Sequence, residues 1–438
     1  MNAIGLWLLL FCTTVALAQA PETGSAWARL RAEASRPLVS AADLTPLVEA
    51  AGARRLVLLG ESTHGSHEFY AWRAAISRRL VAEQRFNFVA VEADWPSLMP
   101  LDAYVRGLPG APPSAAEALA AVTRWPAWLW RNQEFAEFAE WLHGHNASLP
   151  MAERVALRGM DVYGPELARR ALLAALVKQD ADLAAALARD LECMFRHGED
   201  GLAYARALAE GATACDTALA AAEARLKSAA SLEGDADLVA LMRALRNAEA
   251  YYRASSTVDG PSWNVRVGHM WETLADLLDT RGRAPKKGIV WAHNSHVGDA
   301  WYTALAWNGL QNIGQLSRQS LGIDNVFIVG FATTRGQTWA APAWGEPPET
   351  MTLPTALPET LDAQLAGPSS GYFLFGASAR ESPALNQTVY QRGIGVVYLA
   401  DLDSAYYLPC RVPWRFDALL FVPDTRPLTL LEDVHNGP

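Results

Sequence analysis

Leu56-Val-Leu-Leu-Gly-Glu-Ser-Thr-His-Gly-Ser-His-Glu-Phe-Tyr70 decides how the rest of this 438-residue chain is read. Its first four residues form an apolar run, the pattern of a buried strand. Gly60 breaks the run, and Glu61, His64, His67 and Glu68 follow within eight positions. A helical pattern then extends from about Ser66 to Gln84. Strand, glycine-bearing polar turn and helix is the layout of an open α/β sheet, whose ligands lie beyond the carboxyl ends of the strands. An acid and a base placed there form a candidate reaction centre.

Outward from this stretch, further short apolar runs predict strands at 86–91, 155–160, 288–292, 326–331, 372–375, 395–399 and 416–421. Helical patterns lie at 42–51, at 115–141 with an interruption at Pro126, and at 263–279. Residues 166–253 are rich in Ala and Leu with charges at helical spacing, which predicts a helical hairpin or small bundle inserted in the fold. The expected architecture is α/β: a central, mostly parallel sheet flanked by helices, with this insertion as a lid. The α/β part comprises residues 19–165 and 254–438.

Four of these strands end in titratable residues: Glu61, Glu92, Asp161 and His293. In a parallel sheet the carboxyl ends share one edge, so the four converge on one cleft although distant in sequence. Strand ends meet water and are often polar, which would explain any one of them, Asp161 most readily, but not the set. A lone histidine is more often structural than catalytic. Glu61, however, stands three residues before His64 and can fix its tautomer, leaving the second ring nitrogen to take a proton from water. His293 and His296, at i and i+3, can both face the cleft, as a second acid/base or to polarise a carbonyl. Bonding to a backbone carbonyl is the plainer reading, more so for His296. His67 and Glu68 open the next helix, where Glu68 suits the helix dipole. Arg73 and Arg266 are either exposed helix arginines or partners of Glu61 or Glu92 that stabilise an oxyanion.

A net charge of −10 and a pI near 5.5 argue against a nucleic-acid partner. Residues 6–17 are apolar but too short to span a membrane, and Ala16-Leu-Ala18 fits a signal-peptidase site. The reading is a signal peptide over 1–18 and an exported chain, periplasmic or secreted, with no membrane attachment after cleavage. Cys193 and Cys215 could bridge two helices in an oxidising compartment, or remain two buried thiols. Gly367-Pro-Ser-Ser-Gly371 matches the serine-hydrolase elbow but precedes a strand instead of joining strand to helix, so it is set aside. Glu61, His64, Glu92, His293 and His296 are ligand types that zinc or manganese accepts, without an H-E-x-x-H motif. No cofactor is expected, with a divalent metal as the alternative.

Together Gly60-Glu-Ser-Thr-His-Gly65 with Glu68-Phe-Tyr70, Trp72-Arg73, Val91-Glu-Ala-Asp-Trp95, Trp125-Pro-Ala-Trp-Leu-Trp-Arg-Asn132, Gly159-Met-Asp161 and Trp291-Ala-His-Asn-Ser-His296 resemble the erythromycin esterase family, in this order and over roughly 56–421. The family hydrolyses esters, with the macrolide lactone as its named substrate. The resemblance implies that His64 activates water and Glu61 orients it, with Arg73, Glu92, His293 and His296 completing the polar centre and no covalent intermediate. Arg266, Asp161 and Trp128 are assigned to contact a small-molecule ester or lactone, lying between the sheet edge and a lid that includes a Trp125–Trp130 wall. The chain departs from the family where Asn-x-Arg-Asp-x-x-Met is expected: Asn264-Val-Arg-Val-Gly-His-Met270 keeps Arg266 and has Val267 for the acid. A metal-dependent hydrolase of another ester, such as a phosphoester, and a non-catalytic exported metal- or ligand-binding protein are the alternative readings.

Overall fold

The computed structural model describes residues 24–229, 235–257, 260–278 and 286–431. The expected signal peptide lies outside them. The strands, in chain order, are β1 (Arg36–Pro37), β2 (Leu56–Leu59), β3 (Phe88–Asp94), β4 (Ala156–Asp161), β5 (Gly288–Trp291), β6 (Val326–Ala340), β7 (Glu349–Leu353), β8 (Gly371–Leu374), β9 (Val389–Arg392), β10 (Tyr407–Cys410) and β11 (Ala418–Thr425). The main sheet runs β1-β8-β11-β6-β2-β5-β3-β4. From β11 to β4 every pairing is parallel, and β1, β8 and β7 pair antiparallel at the margins. The sheet is thus mostly parallel, and helices cover both faces.

The apolar runs explain this burial. Side chains alternate across a strand. Val57, Leu59, Val89, Val91, Ile289 and Trp291 enter one core with helices Thr45–Gly52, His67–Gln84 and Gln133–Ala147. Leu56, Leu58, Phe88, Ala90, Val290 and Ala292 enter the other, against helices Ser262–Leu278 and Gly24–Ala34. A strand buried on both faces has no polar residues to alternate with, hence the unbroken Leu56-Val-Leu-Leu59. Among the described residues the Ala/Leu-rich segment forms five α-helices between Pro165 and Ser255, with their own core that also takes in Trp95 and Val162 beside β4. Cys193 and Cys215 form a disulfide within this bundle, and Cys410 is a buried free thiol.

Some elements depart from expectation. Residues 395–399 are not a strand: this apolar run crosses the carboxyl edge through single bridges, Ile394 to Thr63 and Val397 to Ala341. The regular pairing there is β9 with β10, outside the main sheet. The helix expected at 115–141 resolves into Ala115–Leu119 and Gln133–Ala147, separated by a 3₁₀ turn at Ala127–Leu129. Glu92 lies within β3, not just after it. β6 is far longer than 326–331. Its second half leaves the sheet beyond the carboxyl edge and returns as β7, through a turn in which Gly345 adopts φ +86°.

The disulfide closes a loop with a sequence separation of 22, so its removal restores roughly 3 kcal/mol of chain entropy to the unfolded state. The Cys193→Ser, Cys215→Ser double variant is expected to lower the denaturation free energy by about that amount, read from urea titration beside the unreduced parent.

Candidate active site

The strand order places β2, β5, β3 and β4 side by side, so Glu61, His293, Glu92 and Asp161 stand in a row along one edge. Gly60 lets the chain turn here: a Cβ on it would lie 2.1 Å from Asn294 Oδ1. That amide is itself a strut. Its Nδ2 donates to the Phe331 carbonyl at 2.7 Å and its Oδ1 accepts from Phe331 N at 3.2 Å, while Asn294 N donates to the Glu61 carbonyl at 2.8 Å. The turn 60–66 is gripped from distant sequence as well. Ile394 N donates to the Ser62 carbonyl, and Leu428 N and Trp339 N both donate to the Gly65 carbonyl. A Cβ on Gly65 would come within 2.3 Å of Trp339 O, so only glycine fits.

Glu61, 1% exposed, is the hub of the turn. Its Oε1 accepts from His64 Nδ1 at 2.8 Å, and its Oε2 pairs with Arg73 at 2.8 Å. A carboxylate accepts, so His64 carries its proton on Nδ1 and leaves the Nε2 lone pair free. No hydrogen bond reaches Nε2 among the described residues. Arg73 is fully buried, with its guanidinium over the rings of Tyr70 and Trp291 at 4.2 and 5.0 Å. It lies behind Glu61 and supports it, rather than reaching forward to an oxyanion.

The His293 ring lies 4.9 Å from that of His64. His293 caps its own short helix: its Nδ1 meets Ser295 twice, accepting from the backbone N at 3.2 Å and lying 2.8 Å from the Oγ, whose hydroxyl can donate to the same lone pair. A backbone N–H can only donate, so neutral His293 carries its proton on Nε2. Burial, then the neighbouring His64, push the His293 pKa well below the usual histidine value, which keeps it neutral. Its Nε2 is buried and makes no hydrogen bond of good geometry, with the Ser62 carbonyl nearby.

Arg266 organises the other half of the row. It holds Asp161 bidentately at 2.8 and 2.6 Å, and also reaches Glu92 Oε1 at 2.7 Å and His296 Nε2 at 3.0 Å. Glu92 Oε2 accepts from His293 N at 2.9 Å, and His296 Nε2 lies 3.1 Å from Glu92 Oε1. Burial alone would raise the Glu92 pKa; His296 and Arg266 outweigh it and hold the carboxyl well below the usual range. Burial likewise opposes ionisation of Asp161, and Arg266 overrides it.

The structure therefore brings together Glu61, His64, Arg73, Glu92, Asp161, Arg266, His293 and His296. Arg266 and Asp161 are committed to each other rather than open to a substrate. Trp128 does not join them. It is 1% exposed in the core beneath the sheet face, so the expected Trp wall is not at the cleft there. Trp130 is buried too, its Nε1 donating to the Glu92 carbonyl at 3.0 Å. Val267 packs in the apolar core with Met270 and Leu274, and Arg266 keeps its orientation through Asp161 on β4 without an acid at position 267. Asn294, Trp263, stacked on His296 at 4.7 Å and 11°, and Tyr163, whose ring lies 4.8 Å below Arg266, were not assigned from sequence. Only the aromatic following Asp161 and the asparagine inside the histidine pair hinted at them.

Among the described residues no three His, Cys, Asp or Glu side chains are disposed to hold a metal ion. The reason is local: Arg266 already occupies the cationic position between Glu92 and Asp161, and His64 Nδ1 is tied to Glu61.

A family model described as erythromycin esterase matches residues 81–425, beginning after the Glu61–Arg73 stretch. Three solved structures share the fold. One is a protein from Bacillus cereus, 19% identical, covering 94% of this chain and 100% of its own, with TM-score 0.75. The second is called a succinoglycan biosynthesis protein, at 18%, 94%, 100% and 0.73. The third is a mutant of the erythromycin esterase EreC in its open conformation, at 17%, 89%, 95% and 0.61.

Two outcomes test this geometry. Arg73→Ala strands the Glu61 carboxylate without its buried cation and is expected to cost about 3–5 kcal/mol in urea denaturation at neutral pH. His269, which meets the Asp161 carbonyl at 3.2 Å, has its pKa lowered to about 4, first by burial and then by Arg243. A histidine depressed in the folded state favours folding fully above its unfolded value near 6.5. Its contribution is then lost as pH falls from there towards about 4. The urea midpoint should decline over that window, and His269→Gln should flatten the decline.

Proposed function

Because the chain belongs to the erythromycin esterase family, a family of ester hydrolases, we propose that it cleaves a carboxylic ester or lactone by direct attack of water. His64 Nε2 takes a proton from the water as its oxygen bonds to the ester carbonyl carbon. Glu61, held by Arg73, fixes the His64 tautomer and stabilises the imidazolium that forms. The His293 Nε2–H, buried beside the Ser62 carbonyl, turns from it to donate to the ester carbonyl oxygen as that oxygen gains negative charge. Collapse of the tetrahedral species breaks the bond to the alkoxy oxygen, which receives the proton from His64. Acid and alcohol leave, with no covalent enzyme intermediate. Glu92 sets the position of His293 through its backbone N–H and that of His296 through its ring.

The observation that carries this reading is the pair of facing imidazoles, 4.9 Å apart. One is tied at Nδ1 by a carboxylate, so its Nε2 is a base. The other is tied at Nδ1 by a backbone N–H, so its Nε2 is a donor. Ligand capture alone requires no such division of proton roles. A phosphoester is disfavoured because both site arginines are already matched by carboxylates, leaving no surplus positive charge for a phosphate. We further place the protein outside the cytoplasm. The Cys193–Cys215 bridge supports this, since disulfides persist in oxidising compartments. Among the described residues no helix is long and apolar enough to cross a membrane.

The purified protein should hydrolyse at least one member of a panel of aryl esters and macrolactones. His64→Ala should lower kcat/KM by about 10²-fold or more, and chelator should leave the wild-type rate unchanged. Loss of the rate with chelator would transfer these residues to a metal-assisted mechanism, and absence of any His64-dependent turnover would refute the assignment.

A further inference from the structure

The hairpin of β6 and β7 ends far from where β6 enters the sheet. β6 and β4 are separated by four strand spacings, roughly 19 Å. Yet Trp344, in the hairpin turn, lies 6.0 Å from Tyr163, the second residue after β4. The turn therefore arches over the row of site residues. Its tip is pinned on the far side: Trp125 Nε1 donates to the Glu346 carbonyl at 2.8 Å, and the Trp125 and Trp344 rings lie 4.6 Å apart. Below them Tyr163 carries the Arg266 guanidinium at 4.8 Å, and Arg266 meets His296, on which Trp263 stacks. Planar groups thus form a wall from the tip of the turn through Tyr163 and the Arg266 guanidinium to His296 and Trp263.

Three properties of this wall bear on what it contacts. Trp344 is 37% exposed at the tip, a costly place for an indole that only packs. The N–H groups of Trp125 and Trp263 are spent on the Glu346 and Gln311 carbonyls, so these rings offer faces and no donors. The guanidinium groups beside Tyr163, Arg124 and Arg266, are paired with Asp94 and with Asp161 and Glu92, so no free charge awaits an ionic group. Such a surface suits a flat, uncharged ring that stacks on indole and phenol faces.

Resting on the ester reading above, we propose that Trp344, with Trp125 and Tyr163, is a specificity-determining surface for a planar aromatic ring, and that the substrate class is an aryl-bearing ester. The ring lies along the wall while its ester carbonyl reaches His64 and His293. The bond broken and the proton path are those already given.

Methyl 4-phenylbutanoate and methyl 4-cyclohexylbutanoate test this, because they share the reacting ester and a chain that lets the ring reach the wall, and differ in the flatness and π-face of the ring. The wild-type enzyme should favour the phenyl ester by about fivefold or more in kcat/KM, the scale of one aromatic stacking contact. Trp344→Ala should erase that ratio, mainly through KM, and Trp344→Phe should retain most of it. A wild-type ratio near one, or a ratio unchanged in Trp344→Ala, would overturn the proposal, as would a loss in Trp344→Ala that is equal for both esters, the sign of a purely structural clasp. Vinyl acetate, an activated ester without an aromatic ring, separates the two levels of argument. If it is hydrolysed in a His64-dependent way while neither methyl ester is, the aryl assignment fails and the esterase reading stands. If none of the three is hydrolysed, the aryl assignment fails, and the esterase reading fails with it only if the macrolactones are untouched as well.

Discussion

The Glu61 carboxylate is the point from which the rest of the site is built. It is almost wholly buried, and a buried carboxylate costs several kcal/mol unless it is paired and hydrogen-bonded. Arg73 answers from behind and His64 from in front. The cation behind must itself be buried, which is why the helix after the turn lays Arg73 between Tyr70 and Trp291. The imidazole in front is thereby held in one tautomer. Packing on the sheet face and proton chemistry at the edge thus depend on the same ion pair.

The second half of the site repeats the device with different partners. Arg266 is buried because Asp161 and Glu92 meet it, and those carboxylates ionise because Arg266 meets them. Each imidazole of the pair derives its role from what binds its Nδ1. In the mechanism proposed above, the carboxylate suits His64 to act as base, and the Ser295 contacts at Nδ1 suit His293 to act as donor. The row works as two buried charge clusters with the neutral, donor-bearing His293 ring between them.

Much of this was legible in the sequence, for definite reasons. Leu56–Leu59 read as a doubly buried strand because nothing polar interrupts it, and strands ending in Glu61, Asp161 and His293 pointed to one edge because parallel strands share one. Pairings set by tertiary contact were not legible. The run at 395–399 has the composition of a strand, yet it lies across the edge of the sheet and bridges Thr63 and Ala341 singly. Trp128 sits in an aromatic-rich stretch that reads as a cleft wall, yet the 3₁₀ turn that carries it points the indole into the core. The grip of Ile394, Trp339 and Leu428 on the turn 60–66 comes from residues hundreds of positions away, and no local pattern announces it.

β6 is one uninterrupted strand that belongs to two structures. Up to Gly336 it pairs with β11 in the sheet, and from Gly336 on it pairs with β7 in the hairpin. Gly336 is the joint, with φ +132° and no room for a Cβ beside Thr425. The residues proposed to handle the proton lie on the sheet side of that joint or on neighbouring strands, and Trp344 lies on the other. Inheritance can therefore vary the two parts at different rates. Hairpins of new length or composition can be tried on an unchanged set of acids, bases and arginines, so, with Trp344 in the role proposed above, a lineage built on this frame can change its diet without relearning its chemistry.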